Sequence, residues 1–429
     1  METKLFIQRV NEYRRGMSTQ RTSPARQTSL REHNLALVLG EVADRGPATR
    51  ARIAAATGLT KATVSSLVDT LVAARLLDER GLDVPAVGRP GTSLGLGARG
   101  PVGIGLEINV DYLATCTVGL TGAVRSREVV TGDLRGVDVG AVLGRAAGLL
   151  RRAADGAHEA GVPVAGVAVA VPGLVDSAAE VLRLAPNLGW RDVDVLHGLR
   201  DLAGGAVPLR LGNEADLGAL AELWVGGHTG DDGGRLDTFV HVSGEIGVGA
   251  GLVLDGALVT GRRGFSGEIG HLTVADGPAC ACGSSGCLER LAGQEAILRR
   301  AGLVSAPGTA IGSPEGPLGE LVARCAAGRP DAVAAVEEAG AVLGRGVAAI
   351  LNLVDVGAVV LGGIYAPLSP WLRGPVEAEL ARRVLAAAWS PPRVVVSGLG
   401  GEAAVRGAAL SVVREVIADP AGWLARAAG

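Results

Sequence analysis

The sequence predicts an α/β protein in which a small winged helix-turn-helix domain precedes a larger body of two lobes, and three observations support this. The chain has 429 residues, which are too many for one hydrophobic core. Apolar residues recur at helical spacing through residues 30–75, whereas short β-rich runs alternate with helical patterns after Pro101. Basic residues outnumber acidic ones by 15 to 9 in residues 1–99, but acidic residues outnumber basic ones by 35 to 26 in the remainder. A basic segment on an acidic body is typical of a nucleic-acid-binding module joined to another domain.

The chain opens with a tail and a helix. Residues 1–29 are polar, rich in arginine and free of any apolar period, which is typical of a disordered basic tail, and translation could start at Met1 or at Met17. From about Leu30 the pattern becomes helical, because apolar residues recur at three- and four-residue spacing. The residues that predict this amphipathic helix are Leu35, Val38, Leu39 and Val42.

Residues 49–77 have the spacing of a helix-turn-helix. Thr49 can cap a first helix, and Ala54 is small where two helices must cross closely. Gly58, four residues later, allows the turn, and Thr60 can cap a second helix. The apolar face of that second helix consists of Val64, Leu67, Val68 and Leu71.

Two short runs after this helix predict a wing, Leu76–Arg80 and Gly88–Leu96, with a Gly/Pro-rich tip between them. Short polar side chains at the start of the second helix suit a DNA major groove, and an arginine at the wing tip suits a narrow minor groove. The predicted DNA-contacting residues are Thr60, Lys61, Ala62, Thr63, Ser66 and Arg89. Residues 30–99 therefore predict double-stranded operator DNA as a partner. Since one helix reads few base pairs, we expect a homodimer or homotetramer.

The body, residues 100–429, begins with three consecutive strands, a helix and two further strands. The first three strands are predicted at Val102–Val110, Tyr112–Leu120 and Ala123–Thr131, and the helix at Asp138–Ala160. The two further strands are predicted at Val164–Val171 and Val207–Leu211. This order is typical of a ribonuclease-H-like α/β lobe. We place lobe 1 at about 100–234 and expect the last helix, Ala403–Ile417, to pack back on it.

Lobe 2 is predicted at about 235–402. Its strands are expected at Thr238–Ser243, Gly251–Leu254 and Ala358–Leu361, and its long helices at about Asp331–Leu353 and Pro370–Trp389. Its most specific feature is a cluster of three cysteines and one histidine. These residues are His271, Cys280, Cys282 and Cys287. Thiolates and an imidazole at this spacing predict a tetrahedral zinc site that is structural, because the protein fills all four positions.

Several segments of the body resemble, in order, the signature of the ROK family of repressors, open reading frames and kinases. The segments are AVPGLVDS, LAPNLGW, GNEADLGALAELW, GFSGEIGHLTV, CACGSSGCLE and VVLGGIY. The likeness spans about residues 102–410, and the fused winged helix is similar to the repressor branch. The resemblance implies an actin-like, two-lobed sugar-kinase fold with a sugar in the cleft between the lobes.

The resemblance also implies which residues contact the sugar. Carried onto this chain, they are Gly173, Asn213, Glu214, Glu268, His271 and Glu289. Carboxylates and amides suit this role because they make directed hydrogen bonds to neighbouring hydroxyl groups. His271 would bind the zinc with one ring nitrogen and face the sugar with the other, so that the metal orders the sugar-binding loop.

Three departures from the family pattern predict that kinase activity is lost, so no catalytic residue is assigned. The family's base is the Asp of an Asn-Asp pair, and Glu214 stands there with one methylene more. The first phosphate loop, Asp-x-Gly-Gly-Thr in the family, has become residues 103–110 without a glycine pair or a hydroxyl. The second, usually Gly-Thr-Gly, is Glu245-Ile246-Gly247, whose carboxylate would repel a triphosphate.

Membrane insertion and secretion are not expected, although the mean hydropathy is +0.33. Residues 162–171 are about half as long as the roughly 20 residues of a membrane span, and Asn352 and Asp355 interrupt the apolar run over 347–361. The N-terminus has no apolar core of signal-peptide length. We therefore expect a cytoplasmic protein.

These features together predict a sugar-responsive DNA-binding regulator, a repressor of carbohydrate-utilisation genes. The alternative is an ATP-dependent sugar kinase with a regulatory DNA-binding domain, and a third reading is a ROK-like scaffold without a small ligand. The sequence leaves open which sugar is the effector, whether that sugar is phosphorylated, and which operator is bound.

Overall fold

The computed structural model describes residues 27–83, 91–203, 207–230, 233–303 and 316–427. Most of the predicted tail, 1–29, lies outside these ranges. Its last residues do not, because the first helix begins at Gln27 and so precedes the predicted boundary. The apolar period starts only at Leu35, and such a period cannot mark a polar first turn.

Three helices and a three-stranded sheet form the N-terminal domain, and the predicted caps are confirmed. The Thr49 hydroxyl accepts a hydrogen bond from the Arg52 N–H at 3.3 Å, and Thr60 accepts one from the Thr63 N–H at 3.2 Å. Gly58 ends the second helix with a φ of +73°. The helices are α1 (Gln27–Arg45), α2 (Arg50–Thr57) and α3 (Lys61–Ala73), and the strands are β1 (Ala48–Thr49), β2 (Leu77–Asp83) and β3 (Gly91–Leu96) in the order β1-β3-β2.

A five-stranded sheet forms the centre of lobe 1. Its strand order is β11-β7-β4-β5-β6, with β4 antiparallel to β5 and parallel to β7. The three consecutive strands that the sequence predicts are therefore confirmed. The strands are β4 (Val102–Ile108), β5 (Tyr112–Gly119), β6 (Val124–Thr131), β7 (Val164–Val171) and β11 (Leu209–Asn213), and helix α4 (Val139–Glu159) follows β6.

A second, smaller sheet in lobe 1 was not predicted. It is antiparallel, in the order β10-β9-β8, and its strands are too short to show an apolar period. The strands are β8 (Leu174–Asp176), β9 (Val181–Ala185) and β10 (Trp190–Val193), and the helices after it are α5 (Val195–Ala203) and α6 (Glu214–Val225). This sheet shapes one wall of the cleft described below.

Lobe 2 contains another five-stranded sheet, in the order β14-β13-β12-β15-β16. Its strands are β12 (Phe239–Gly244), β13 (Val248–Leu254), β14 (Ala257–Leu258), β15 (Ala358–Gly363) and β16 (Arg393–Val396). The helices are α7 (Leu288–Ala292), α8 (Gln294–Arg300), α9 (Pro317–Ala326), α10 (Pro330–Val354) and α11 (Tyr365–Arg383), with 3-10 turns at Ile269–His271, Leu385–Ala388 and Gly400–Glu402.

The helix predicted at Pro370–Trp389 is wrong at both ends, because α11 runs over Tyr365–Arg383. Proline favours the first turn of a helix, so Pro370 marked the expected start, yet it lies inside α11. The helix starts at Tyr365, whose buried hydroxyl donates a hydrogen bond to the Ala292 carbonyl oxygen at 3.0 Å. At the other end Val384 is extended, which separates α11 from the following 3-10 turn.

Two C-terminal helices, α12 (Ala403–Ala418) and α13 (Pro420–Ala427), join the body to the N-terminal domain. As predicted, α12 lies against lobe 1. A Cβ at Gly103 would come within 2.3 Å of the Ala409 carbonyl oxygen, so glycine is what permits this approach. The other side of α12 faces α1. One apolar cluster there includes Val38, Leu39, Val412, Val416 and Trp423.

In these ranges no helix has the combination of length and apolar character that crossing a bilayer requires.

Candidate functional site

The six residues predicted to contact a sugar line one cleft between the two lobes. The cleft encloses about 590 Å³, including the space open to solvent at its mouth. Its walls come from the ends of β7, β11 and β12, from α6, and from the loop that leads to α7. Besides Gly173, Asn213, Glu214, Glu268, His271 and Glu289, the lining includes Asn109, Asn187 and Glu245.

Asn213 organises the floor of this cleft. Its side-chain oxygen accepts hydrogen bonds from the backbone N–H groups of Ala215 and Asp216, at 2.8 and 3.1 Å, and thereby caps helix α6. Its side-chain nitrogen donates to the Gly173 carbonyl oxygen at 2.9 Å. Gly173 has a φ of +97°, and a Cβ there would lie 2.1 Å from the Leu184 carbonyl oxygen. The backbone at position 173 therefore requires glycine.

Glu214 is the first residue of α6 and faces the interior of the cleft. One of its carboxylate oxygens, Oε2, is buried and has no hydrogen-bond partner in the part of the chain that the structure describes. Burial, and then the nearby carboxylates of Glu107 and Glu268, raises the pKa of Glu214 to about 8. A carboxyl with this pKa can donate a hydrogen bond to a hydroxyl oxygen as well as accept one.

Glu268, His271 and Glu289 form the opposite wall. Nε2 of His271 lies 4.0 Å from the Glu268 carboxylate, and Nδ1 lies 3.7 Å from Oε1 of Glu289. Burial raises the pKa of Glu268. Glu289 exposes 8% of its surface. A Cβ on Gly247 would approach its Oε2 to 2.8 Å, so the glycine makes room for this carboxylate.

The predicted metal ligands are brought together beside this wall. One donor atom from each of His271, Cys280, Cys282 and Cys287 lies within 4.8 Å of the donor atoms of the other three, so this group could hold a metal ion. Nδ1 of His271 is 3.7 Å from the Cys280 sulfur, and the sulfurs of Cys282 and Cys287 are also 3.7 Å apart.

Two glycines let the backbone turn around this cluster. Gly283 has a φ of +96° and Gly286 one of +64°, both in the left-handed region. A Cβ on Gly286 would lie 1.8 Å from the Ala275 carbonyl oxygen. The turn is closed by the hydrogen bond from the Cys280 N–H to the Ser284 carbonyl oxygen at 2.8 Å.

Residues 103–110, which correspond to the first phosphate loop of the family, bury polar side chains that hydrogen-bond to one another. Glu107 is 2% exposed, and its Oε1 accepts hydrogen bonds from the Tyr112 hydroxyl at 2.5 Å and from the Asn109 amide at 3.3 Å. The Asn109 side chain in turn accepts from the Val110 N–H at 2.6 Å. Burial raises the pKa of Glu107 to about 7. The segment therefore presents a buried carboxyl where the family has a glycine pair and a hydroxyl.

Glu245-Ile246-Gly247, which corresponds to the second phosphate loop, places the carboxyl of Glu245 near Glu107 and Glu214. Burial, then the charges of Glu107 and Glu214, raises the pKa of Glu245 well above its ordinary range. A narrow cavity of about 270 Å³ lies between these groups. His241 lines it as well, fully buried, and neither ring nitrogen has a hydrogen-bond partner among the described residues. Burial lowers the pKa of His241 to about 4, so the imidazole is neutral.

Sequence reasoning missed His241 and its neighbour Glu222. Glu222 is buried, lies 2.7 Å from Nε2 of His228 and accepts a hydrogen bond from the Ser397 hydroxyl. A single histidine in a β-strand and a single glutamate in a helix leave no spacing signal. Only the meeting of β12, α6 and the segment after β16 brings these residues together.

The start of α3 presents the predicted DNA-contacting residues. Thr60, Lys61, Ala62 and Ser66 are exposed, and Thr63 is half-buried. Thr60 and Thr63 also share a hydrogen bond between their hydroxyls at 2.9 Å. Arg89 of the predicted wing tip lies outside the described residues.

Two family models match the chain. The model of the ROK family matches residues 104–415, and the model of the MarR family matches residues 36–89. The first covers the two-lobed body and the second covers most of the N-terminal domain.

Individual relatives match the chain over both of these parts. The chain is 26% identical over 401 residues to the xylose repressor of Bacillus subtilis strain 168, and the alignment covers 91% of this chain and 97% of that one. Among solved structures, a ROK family transcriptional regulator described as a homologue of the E. coli MLC protein superposes with a TM-score of 0.73 at 25% identity, covering 92% of this chain and 98% of that one.

A kinase of the same fold resembles the body. The ROK family glucokinase from Streptomyces griseus, solved in complex with glucose and AMPPNP, superposes with a TM-score of 0.61 at 26% identity. That match covers 73% of this chain and 99% of the kinase.

Proposed function

The chain belongs to the ROK family, and from that membership we propose that it is a sugar-responsive transcriptional repressor that binds operator DNA and does not phosphorylate its sugar. The likeness to a xylose repressor extends over nearly the whole length of both chains, whereas the likeness to a kinase stops at the body. We also propose that it acts in the cytoplasm, where it would reach operator DNA.

One observation supports this function most strongly. The cleft keeps its polar side chains, while the two segments that would hold a triphosphate carry the buried carboxylates of Glu107 and Glu245. A triphosphate placed there would meet buried acidic side chains and no lysine or arginine among the described residues that line the two cavities. The ATP-dependent kinase is therefore the weaker alternative, although Glu214 occupies the position of the family's base.

We propose that the sugar is held by Asn213, Glu214, Glu268, His271 and Glu289, with the Gly173 backbone close by. The amide oxygen of Asn213 is already engaged in capping α6, so Asn213 would position that helix and offer its remaining amide N–H to the sugar. The carboxyls of Glu214, Glu268 and Glu289 would bracket neighbouring hydroxyl groups from opposite walls of the cleft.

We propose that His271, Cys280, Cys282 and Cys287 bind one Zn²⁺. The donor set fits the ion, because thiolates and an imidazole are its preferred ligands in structural sites. Bound zinc would supply a cross-link and no chemical step, since the protein fills all four positions. The loop between the 3-10 turn Ile269–His271 and α7 would then hold Glu268 and Glu289 in place.

On the DNA side we propose that Thr60, Lys61, Ala62, Thr63 and Ser66 face the major groove, with Arg89 in the minor groove. One short helix reads few base pairs, so a homodimer or homotetramer would bind paired half-sites. The sugar would change operator affinity by binding one arrangement of the two lobes more tightly than another.

Operator release tests this function. A duplex is first selected with the purified protein from random-sequence DNA, and fluorescence anisotropy then follows its complex while sugars are added. We expect at least one monosaccharide to release the duplex at constant salt. If a broad panel of monosaccharides leaves the complex unchanged, or if no duplex is selected, the repressor function is wrong.

A further inference from the structure

On the basis of the proposed function, we infer that the effector is a sugar without an anionic group. An uncharged or amine-bearing sugar binds in the cleft, whereas the same sugar carrying a phosphate or a carboxylate does not. The inference concerns the chemical class of the ligand, which the family leaves open.

The ionisable side chains that line the cleft favour a ligand without negative charge. Four carboxylates line it, and no lysine or arginine does among the residues that the structure describes. These carboxylates belong to Glu214, Glu245, Glu268 and Glu289. Anionic sugars are ordinarily recognised by arginine or lysine, which supply a counter-charge to the phosphate.

His271 is the one lining side chain that can become cationic. Its Nδ1 faces the Cys280 sulfur at 3.7 Å inside the His/Cys cluster. A histidine that binds a metal is neutral, because the metal takes the place of the proton on that nitrogen. His271 therefore supplies no positive charge to the cleft when the proposed metal is present.

A free helix N-terminus is the usual alternative to a cationic side chain. Helix α6 does begin in the cleft, but two amide groups of its first turn are already used. The side chain of Asn213 accepts hydrogen bonds from the N–H groups of Ala215 and Asp216. The first turn of α6 also carries the carboxyls of Glu214 and Asp216, which supply no counter-charge to an anion.

Arg290, the arginine next to a lining residue in sequence, does not contribute its charge to the cleft. Arg290 follows Glu289 but does not line the cleft, and its guanidinium lies 3.9 Å from the Glu295 carboxylate. A phosphate dianion in the cleft would thus lose its water without gaining a counter-charge. A protonated carboxyl could offer one donor, but it still brings no positive charge.

The experiment compares matched sugars by calorimetric titration of the full-length, metal-loaded protein. The pairs are xylose with xylose 5-phosphate, glucose with glucose 6-phosphate, and N-acetylglucosamine with its 6-phosphate, and glucosamine and glucuronate are added as charged derivatives of glucose. For the pair whose parent sugar binds, we expect the phosphate to raise the Kd at least about 100-fold, because it is strongly unfavourable to take a dianion out of water without a counter-charge. Glucosamine should bind no more weakly than glucuronate. A sugar phosphate that binds within about tenfold of its parent overturns the inference.

A variant checks that charge is the cause. Asn187→Lys adds one positive charge to the cleft lining, so the ratio of the two Kd values should fall at least about tenfold. Glu337→Lys adds a lysine to the exposed face of α10, outside the cleft lining, and should leave the ratio unchanged. An unchanged ratio in Asn187→Lys overturns the electrostatic explanation.

Operator release is measured in parallel, so that the two conclusions fail separately. If a sugar phosphate releases the operator, the repressor function stands and the inference is wrong. If a neutral sugar binds but leaves the operator complex intact, the inference stands and the repressor function is wrong. If no sugar of either kind binds, both are wrong.

Discussion

The guanidinium of Arg414 donates a hydrogen bond to the carboxylate of Asp44 at 3.0 Å and so joins the last long helix of the body to the N-terminal domain. The same guanidinium lies over the ring of Trp224, 5.6 Å from its centroid. Trp224 belongs to α6, the helix that begins at Glu214 in the cleft. Arg414 therefore touches both the DNA-binding domain and an element that starts at the proposed sugar site.

We expect Arg414→Ala to weaken the response to sugar more than the binding of DNA. The pair is partly exposed, so its loss should cost no more than about 1 kcal/mol of stability. Operator affinity without sugar should stay within about threefold, while the change in affinity caused by sugar should shrink at least about fivefold. Arg152→Ala, which removes an exposed pair with Glu128, is the matched control. A normal sugar response in Arg414→Ala would exclude this contact from the coupling.

Glu268→Ala tests the proposed sugar wall. Loss of a hydrogen bond between a charged group and a sugar hydroxyl should raise the sugar Kd by about 10- to 100-fold, with operator binding retained. Titration calorimetry measures the first quantity and fluorescence anisotropy the second. Glu338→Ala removes an exposed carboxylate from α10 and should change neither. If sugar affinity is unchanged in Glu268→Ala, this residue is not part of the site.

Cys282→Ser tests the metal cluster. The variant should lose its bound zinc, because a hydroxyl is a poor replacement for a thiolate, and should bind sugar at least about tenfold more weakly. Metal content is measured by elemental analysis of the purified full-length protein. Cys325→Ser changes a buried cysteine of α9 outside the cluster and should retain the metal. Retention of both zinc and sugar affinity in Cys282→Ser would remove Cys282 from the ligand set.

The buried carboxyl of Glu107 predicts a dependence of stability on pH. Its pKa is about 7 in the folded chain against an ordinary value of 4.5, so the folded state binds this proton more tightly than the unfolded state. The free energy of unfolding should therefore fall as pH rises from about 4.5 to about 7, by roughly 3 kcal/mol from this group alone, and level off above.

Glu107→Gln should flatten that fall, because the amide does not titrate. Denaturant unfolding at pH 5 and at pH 8 measures the difference between wild type and variant. Glu128→Gln is the control, because the exposed Glu128 has a pKa lowered mainly by its hydrogen bond to Arg152 and titrates below this window. Equal pH dependence in Glu107→Gln and wild type would contradict the raised pKa.

Local features were predictable from sequence because local rules determine them. Thr49, Thr60 and Gly58 take their roles from the geometry of a helix end, which a few residues define. The His/Cys spacing is likewise a short-range signal, and the structure brings those four donors together. The family motifs extended the prediction to the cleft, whose six candidate residues line one cavity.

The remaining features depend on contacts between distant segments. The hydrogen bond between Glu107 and Tyr112 requires the register of β4 and β5, and no residue pattern announces it. Arg414 and Asp44 are 370 positions apart and meet only because α12 packs between the domains. Asn213 was only partly predicted. The motif indicates that it contacts the sugar, and the structure shows that it also caps helix α6.

The most direct measurement of the central claim is phosphoryl transfer by the full-length protein with Mg-ATP and the sugar that releases the operator. Release of ADP is followed together with the mass of the sugar, and operator release confirms in the same sample that the sugar site is active. We expect no sugar phosphate above the level without protein, because Glu107 and Glu245 occupy the place of the phosphate loops. Turnover in the ordinary enzyme range, about 1 to 1000 per second, would contradict the account.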